Sequence, residues 1–215
     1  MPEFKKTVII TSVIYFSQKK LSKSSVRSVF TPEVRTMQTF QTIDSIRKKI
    51  PGAFIILLEM GKEKNIADEL VKGVDKYVFI GNNRLVKWAV NGKYRGLGEA
   101  MGLIVSKKEL YTGADFFFKI SGRYFLNDEF DLTLWKDNFF SARKYERGIS
   151  TRFYGFSKEL FADWQKALRR SLLQLYRGRS IEDVLPVKFG KERIHAIKKL
   201  GVAGYVGPDG AYLEE

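Results

Sequence analysis

Cysteine is absent from the 215 residues, and histidine occurs once, as His195. The first absence excludes disulfide frameworks, Cys-ligated zinc, iron–sulfur clusters and thiol nucleophiles. The second excludes multi-histidine metal sites and weakens any proton shuttle built on imidazole. Long apolar runs are also missing: the longest, Ala53 to Leu58, is far too short to span a bilayer. The charged amino end, Met1 to Lys6, leads into the apolar stretch Thr7 to Phe16 with no small-residue cleavage site, so no targeting segment is read and a cytoplasmic location is expected, with peripheral contact of the basic surface on an anionic membrane as the alternative. Neither a GxGxxG following the first strand nor a GxxxxGK[ST] occurs, so dinucleotide oxidoreductases and P-loop NTPases lack their phosphate cradle.

Acidic residues are in deficit, 24 against 38 Lys and Arg, for a net charge of +14. A hydrophobic fraction of 44% and an aromatic fraction of 14% nevertheless describe a globular chain with a sizeable core. The excess charge is uneven: +5 over residues 1–30, +3 over 31–134, +9 over 135–200 and −3 over 201–215. An anionic partner accounts for this balance, whether nucleic acid, lipid or a phosphorylated small molecule, and so does a solubilising basic face.

The patterning alternates. Lys6 to Phe16 is β-branched and reads as a buried strand. Ser17 to Ser28 is polar and reads as a mobile loop. Thr31-Pro32-Glu33 carries a helix start, with Val34, Met37, Ile43, Ile46 and Ile50 at helical spacing up to Pro51-Gly52. Strands follow at 53–58, 76–80 and 115–120, separated by helices at 64–74 and 95–110. This β-α-β-α-β-α-β order specifies an α/β fold, a mostly parallel sheet flanked by helices, with ligands beyond the carboxyl ends of the strands. A single domain over residues 1–215 is expected. In the second half, Phe161, Trp164, Leu168, Leu172 and Leu175 read as a core helix face, Lys188 to Leu200 as a helix, and Gly201 to Gly210 as a closing strand and turn.

Candidate chemistry sits where strands end. Thr11 and Ser12 fall in the first strand segment, where a nucleotide could lean. Glu59 could accept hydrogen bonds from a ribose or base, or be a solvated strand end. Lys93-Tyr94-Arg95-Gly96-Leu97-Gly98-Glu99 places two cations and two glycines at a helix amino end, where free N–H groups and the dipole favour phosphate. There the glycines would let a ligand approach the backbone, and Glu99 would position Arg95 or a sugar hydroxyl. Lys119-Ile120-Ser121-Gly122-Arg123-Tyr124 runs a buried strand straight into cations suited to a pyrophosphate.

These two segments, with the Arg35-Thr36-Met37-Gln38-Thr39 helix, resemble nucleotide-sugar glycosyltransferases of the GT-A fold. They are similar in particular to small viral and bacterial enzymes with KISGRY-like signatures. The resemblance runs loosely from Thr7 to about Gly210, and only the two short motifs are specific. It implies a nucleotide-sugar donor, with UDP expected, held by Thr11, Ser12, Glu59, Arg95, Gly96, Gly98, Glu99, Lys119, Ser121 and Arg123. It also implies a glycan or lipid-linked acceptor, which Arg152 and Tyr154 could contact. Many GT-A enzymes hold Mn²⁺ or Mg²⁺ with an Asp-x-Asp where this chain has Lys119-Ile120-Ser121, so metal-independent chemistry is expected, with Asp128, Glu129 and Asp131 as the nearest alternative ligands. Ser180-Ile181-Glu182-Asp183 resembles the acidic pair that deprotonates the acceptor. Glu182 ranks before Asp183, because Ser180 and Asp183 also read as a helix cap. A non-enzymatic nucleic-acid-binding domain is the alternative, though nucleic acid is the less expected partner. A nucleotidyltransferase of similar topology is disfavoured by the missing glycine loop after the first strand.

Overall fold

The computed structural model describes residues 5–22 and 24–215, so Met1 to Phe4 of the charged amino end, and Lys23, lie outside the described residues. In chain order the elements are β1 (Lys6–Ser12), α1 (Pro32–Lys49), β2 (Phe54–Glu59), α2 (Asp68–Gly73), β3 (Lys76–Phe79), α3 (Arg84–Val90), α4 (Arg95–Val105), α5 (Lys107–Leu110) and β4 (Phe116–Ser121). There follow β5 (Tyr124–Leu126), β6 (Phe140–Lys144), β7 (Ile149–Ser157), α6 (Phe161–Tyr176), α7 (Ile181–Phe189), β8 (Ile194–Ala196), β9 (Val202–Tyr205) and β10 (Tyr212–Glu214).

Seven strands form one sheet in the order β3-β2-β1-β4-β7-β6-β8. The first four are parallel, β7 runs antiparallel to both β4 and β6, and β8 is parallel to β6. The protein is therefore α/β, with a mostly parallel central sheet flanked by helices. Alternate residues of the strands feed two cores, as the strand period of two requires. Ile9, Ile56 and Phe117 face α3, α4, α6 and α7, while Val8, Ile10, Ile55 and Phe118 face α1 and α2. A second sheet, β10-β9-β5, lies beside the α1 layer.

Helix α1 begins as its sequence predicts, with Thr31 Oγ1 accepting from the Val34 N–H and Pro32 in the first turn. Its buried face does not follow the apolar spacing: Val34 and Met37 are exposed, while Thr39, Thr42 and Ser45 are buried. The cause is the neighbour. Thr39 and Thr42 donate to the carbonyls of Gly122 and Tyr124, and Ser45 Oγ accepts from the Leu126 N–H, so hydroxyls complete the β5 edge that β9 leaves open.

Other expectations are corrected. The first strand stops at Ser12 rather than Phe16, because the Ile14 N–H turns back to Glu59. The predicted 64–74 helix is shortened to 68–73, and the predicted 95–110 helix divides at Ser106. The described residues of the 17–28 loop are anchored. Arg27 donates to the Val90 and Gly92 carbonyls at the end of α3, and the Ser22 N–H donates to Lys93. The expected helix over 188–200 does not form: α7 ends at Phe189 before Gly190, at φ +109°, a short 3₁₀ turn follows at Lys191–Arg193, and His195 lies on edge strand β8. Helix α3, capped by Asn83, is an element the sequence patterning did not show. None of the helices among the described residues is long and apolar enough to cross a membrane.

Candidate active site

The carboxyl ends of β1 and β4 meet where the Thr11 carbonyl accepts from the Gly122 N–H at 2.9 Å. Above them lie two adjoining cavities, an inner recess of about 130 Å³ and an outer cleft of about 370 Å³. Arg95, Glu99, Ser121 and Arg123 line both. Thr11, Ser12 and Gly98 line the recess; Gly96, Arg152 and Glu182 line the cleft. The topology thus gathers most of the expected residues at one mouth.

Four arginines converge on the recess: Arg27, Arg35, Arg95 and Arg123. Burial, and then the nearby Arg123, push Arg35 down to about 9, and the same two causes push Arg95 down to about 10. Both stay charged at neutral pH; burial is the larger cause of each shift, and the like charge of Arg123 adds to it. Arg35 donates to the Val13 carbonyl and lies 4.5 Å from the Phe16 ring centroid, and Arg95 donates to the Arg27 carbonyl at 2.6 Å. Arg123 differs, because one terminal nitrogen is buried and makes no hydrogen bond. Gly207 sits so close to Arg123 and Arg95 that a Cβ there would lie 2.6 Å and 2.9 Å from their guanidinium nitrogens.

Several residues sit where expected but do other work. Lys119 is completely buried, and its ammonium pairs with Glu99 and donates to Ser121 Oγ at 3.0 Å and to the Thr151 carbonyl at 2.7 Å. Its donors are spent inside the protein, and Glu99 serves Lys119 rather than Arg95. Glu59 is likewise fully buried beneath the recess. Its Oε1 accepts from the Ile14 and Gly61 N–H groups, and burial pushes its carboxyl up against the pull of these bonds and of Arg35. It organises the loop after β1 and does not face a ribose. Gly96 and Gly98 are packing glycines: an added Cβ would lie 2.9 Å from Ile181 Cβ and 2.9 Å from Val90 Cα respectively. They let α4 approach α7 and α3 closely. Tyr154 is a core residue, 1% exposed, with its hydroxyl accepting from Trp164 Nε1.

The acidic pair separates as its capping role requires. Ser180 Oγ accepts from the Asp183 N–H, and Asp183 does not line the cleft. Glu182 does, with Oε1 accepting from Thr151 Oγ1 at 3.0 Å. Arg152 donates to Tyr124 Oη at 3.1 Å and to Glu215 Oε1 at 2.8 Å. Glu215 was not foreseen. It is buried, also accepts from Ser150 and Tyr145, and is pushed up to about 7 by burial, with Arg143 pulling it down. It lines a shallow extension of the cleft together with Arg152 and Glu182. Arg35 and Arg27 were also missed as site residues; an arginine one turn into a helix, or in the polar loop before it, gives no local sign that it reaches a recess.

The acids considered as metal ligands are engaged elsewhere: Asp128 with Lys49, Glu129 with Lys199 and Asp131 with Thr133. Among the described residues no three of Asp, Glu and His come together as a donor set. His195 lies with its ring centroid 5.8 Å from that of Phe139 at a tilt of 52°, and is pushed down by burial and by Lys136 and Lys144.

No family model and no curated protein matches the chain. Among solved structures it is similar to the CTP:phosphocholine cytidylyltransferase of Streptococcus pneumoniae, with 13% sequence identity, 93% of each chain covered and a TM-score of 0.46.

Proposed function

We propose that the protein is a nucleotide-sugar-dependent glycosyltransferase, with residues 1–125 supplying the donor half and 126–215 the acceptor half of one domain. The observation that supports it most is the arginine recess, where like charges crowd and a buried Arg123 nitrogen lacks a partner. A diphosphate supplies the missing negative charge and acceptor oxygens, with Arg95 and Arg123 facing it. Thr11, Ser12 and Ser121 offer hydroxyls along the same wall. Lys119, through its bonds to Glu99, Ser121 and Thr151, is a positioning residue that fixes the floor.

In the outer cleft Glu182 is the base. An acceptor hydroxyl attacks the sugar's anomeric carbon as the bond to the diphosphate oxygen breaks; the proton passes to Glu182 and the electron pair leaves on the diphosphate. Arginine side chains stabilise that leaving charge, which is the work a metal does in other designs. Arg152, held by Tyr124 and Glu215, faces the acceptor.

The test is thermal unfolding against nucleoside diphosphates and nucleotide sugars, each with EDTA and with Mn²⁺. A ligand that binds only the folded state adds about 2.7 kcal/mol at a hundred times its dissociation constant. A rise with one base, uridine expected, that persists in EDTA supports the reading. No rise with any nucleotide, alongside salt-sensitive binding to DNA or RNA, would replace it with nucleic-acid binding.

A further inference from the structure

Helices α3 and α6 both pack on α4 and meet at their outer surfaces, where the Trp88 and Tyr176 rings lie 5.9 Å apart. Four large apolar side chains stand out from this ridge: Leu85 is 57% exposed, Trp88 54%, Leu173 58% and Tyr176 56%. Burying them inside the fold would require α3 to turn over, yet its Val86 and Ala89 are already seated in the core. The ridge is also cationic without exception. Residues 84–95 and 164–181 contain nine Lys and Arg and no Asp or Glu. Arg84 and Lys87 flank the apolar group on α3, and Arg169, Arg170 and Arg177 flank it on α6, all exposed.

We propose that this ridge docks the protein on an anionic lipid surface. The two halves of the patch match the two layers of a membrane interface. Trp and Tyr sit at headgroup level, leucines reach the acyl boundary, and surrounding cations meet lipid phosphates. Nucleic acid would use the cations and stack on the rings, but it offers nothing apolar to two exposed leucines. A second copy is disfavoured by symmetry, since an isologous contact would set the cationic rim against itself.

The ridge continues into the candidate active site. The turn from α3 to α4 contributes Lys93 and Tyr94 to the outer cleft, and the turn from α6 to α7 contributes Gly178 and Arg179. The Tyr94 ring packs directly over Gly178, joining the two turns. A membrane bound by the ridge therefore lies beside the cleft mouth, where a lipid-linked acceptor can enter. That consequence rests on the glycosyltransferase reading; the docking does not.

The experiment is flotation of the full chain with phosphatidylcholine vesicles, with and without phosphatidylglycerol, over a range of salt. Binding is expected only with the anionic lipid, weakening as salt rises. Trp88→Ala with Tyr176→Ala, and separately Arg169→Glu with Arg170→Glu, should each lower binding about tenfold or more. Lys72→Glu, on α2 across the sheet, should not. All these side chains are exposed, and an unchanged unfolding midpoint confirms folding of each variant. Binding that is absent, indifferent to lipid charge or unaltered in both double variants overturns the proposal. So does ridge-dependent binding of RNA with none to vesicles, or a dimer in sedimentation that Trp88→Ala abolishes. A lost nucleotide response with vesicle binding intact would count against the glycosyltransferase reading alone.

Discussion

Lys119 lies on the α4-facing side of β4, with Phe117 two residues before it and Ser121 two after. Replacing it by methionine keeps most of its volume and deletes the ammonium. Glu99, whose side chain is only 21% exposed, loses its cation, and the Thr151 carbonyl and Ser121 hydroxyl lose a donor. Breaking a buried pair from one side costs about 3–5 kcal/mol. The partial exposure of Glu99 places this case near the lower end, at about 3 kcal/mol. Adding Glu99→Leu removes the stranded carboxylate, and apolar replacement of both partners is often neutral. The double variant should therefore be more stable than Lys119→Met alone by about 2 kcal/mol or more. Denaturant unfolding followed by tryptophan fluorescence measures all three. Additive effects, or a cost of under about 1 kcal/mol for Lys119→Met as for an exposed pair, would refute a buried, coupled Lys119–Glu99 unit.

Three further outcomes are expected. Gly96→Ala and Gly98→Ala should each destabilise by about 1–3 kcal/mol, since the new methyl meets Ile181 Cβ or Val90 backbone, and thermal midpoints will show it. Glu182→Gln should keep the nucleotide-induced rise in midpoint while lowering transfer by about 10²–10⁴-fold in a product assay. Glu215 is raised in the folded state, so that state binds more protons than the unfolded chain between the ordinary carboxylate range and about 7. Stability should fall as pH rises through that window, and Glu215→Gln should flatten the fall in pH-dependent unfolding curves.

Much of the framework was legible because it is local. Runs such as Val8 to Ile10 and Ile55 to Leu58 are β-branched or leucine-rich and buried on both faces, and their spacing implies parallel strands with helical crossovers. Helix α3 was not legible, because it is short and turns Leu85 and Trp88 outwards, so it carries no clean apolar period. Residues 188–200 read as a helix, but the positive φ of Gly190 ends α7 and pairing with β6 makes Ile194–Ala196 a strand.

The site divides in the same way. Residues of the RGLGE and KISGRY segments line the two cavities beyond the strand ends, where such segments were expected to lie. Roles inside them depend on contacts remote in sequence. Glu99 meets Lys119 through the register of α4 on the sheet, Gly96 is required by α7, and Arg35 reaches the recess because α1 crosses β5. Glu215 meets Arg152 only after β10 has paired with β9. No local pattern encodes those meetings.

The central claim is that the arginine recess is built for a diphosphate and is electrostatically crowded without one. Thermal unfolding of Arg123→Gln beside the parent protein, each with and without nucleoside diphosphates, tests it most directly. The account predicts that the variant alone is as stable as the parent or more so, because Arg123 crowds Arg35 and Arg95, and that its nucleotide-induced rise is lost. A variant that is clearly less stable alone yet keeps the full nucleotide response would contradict it.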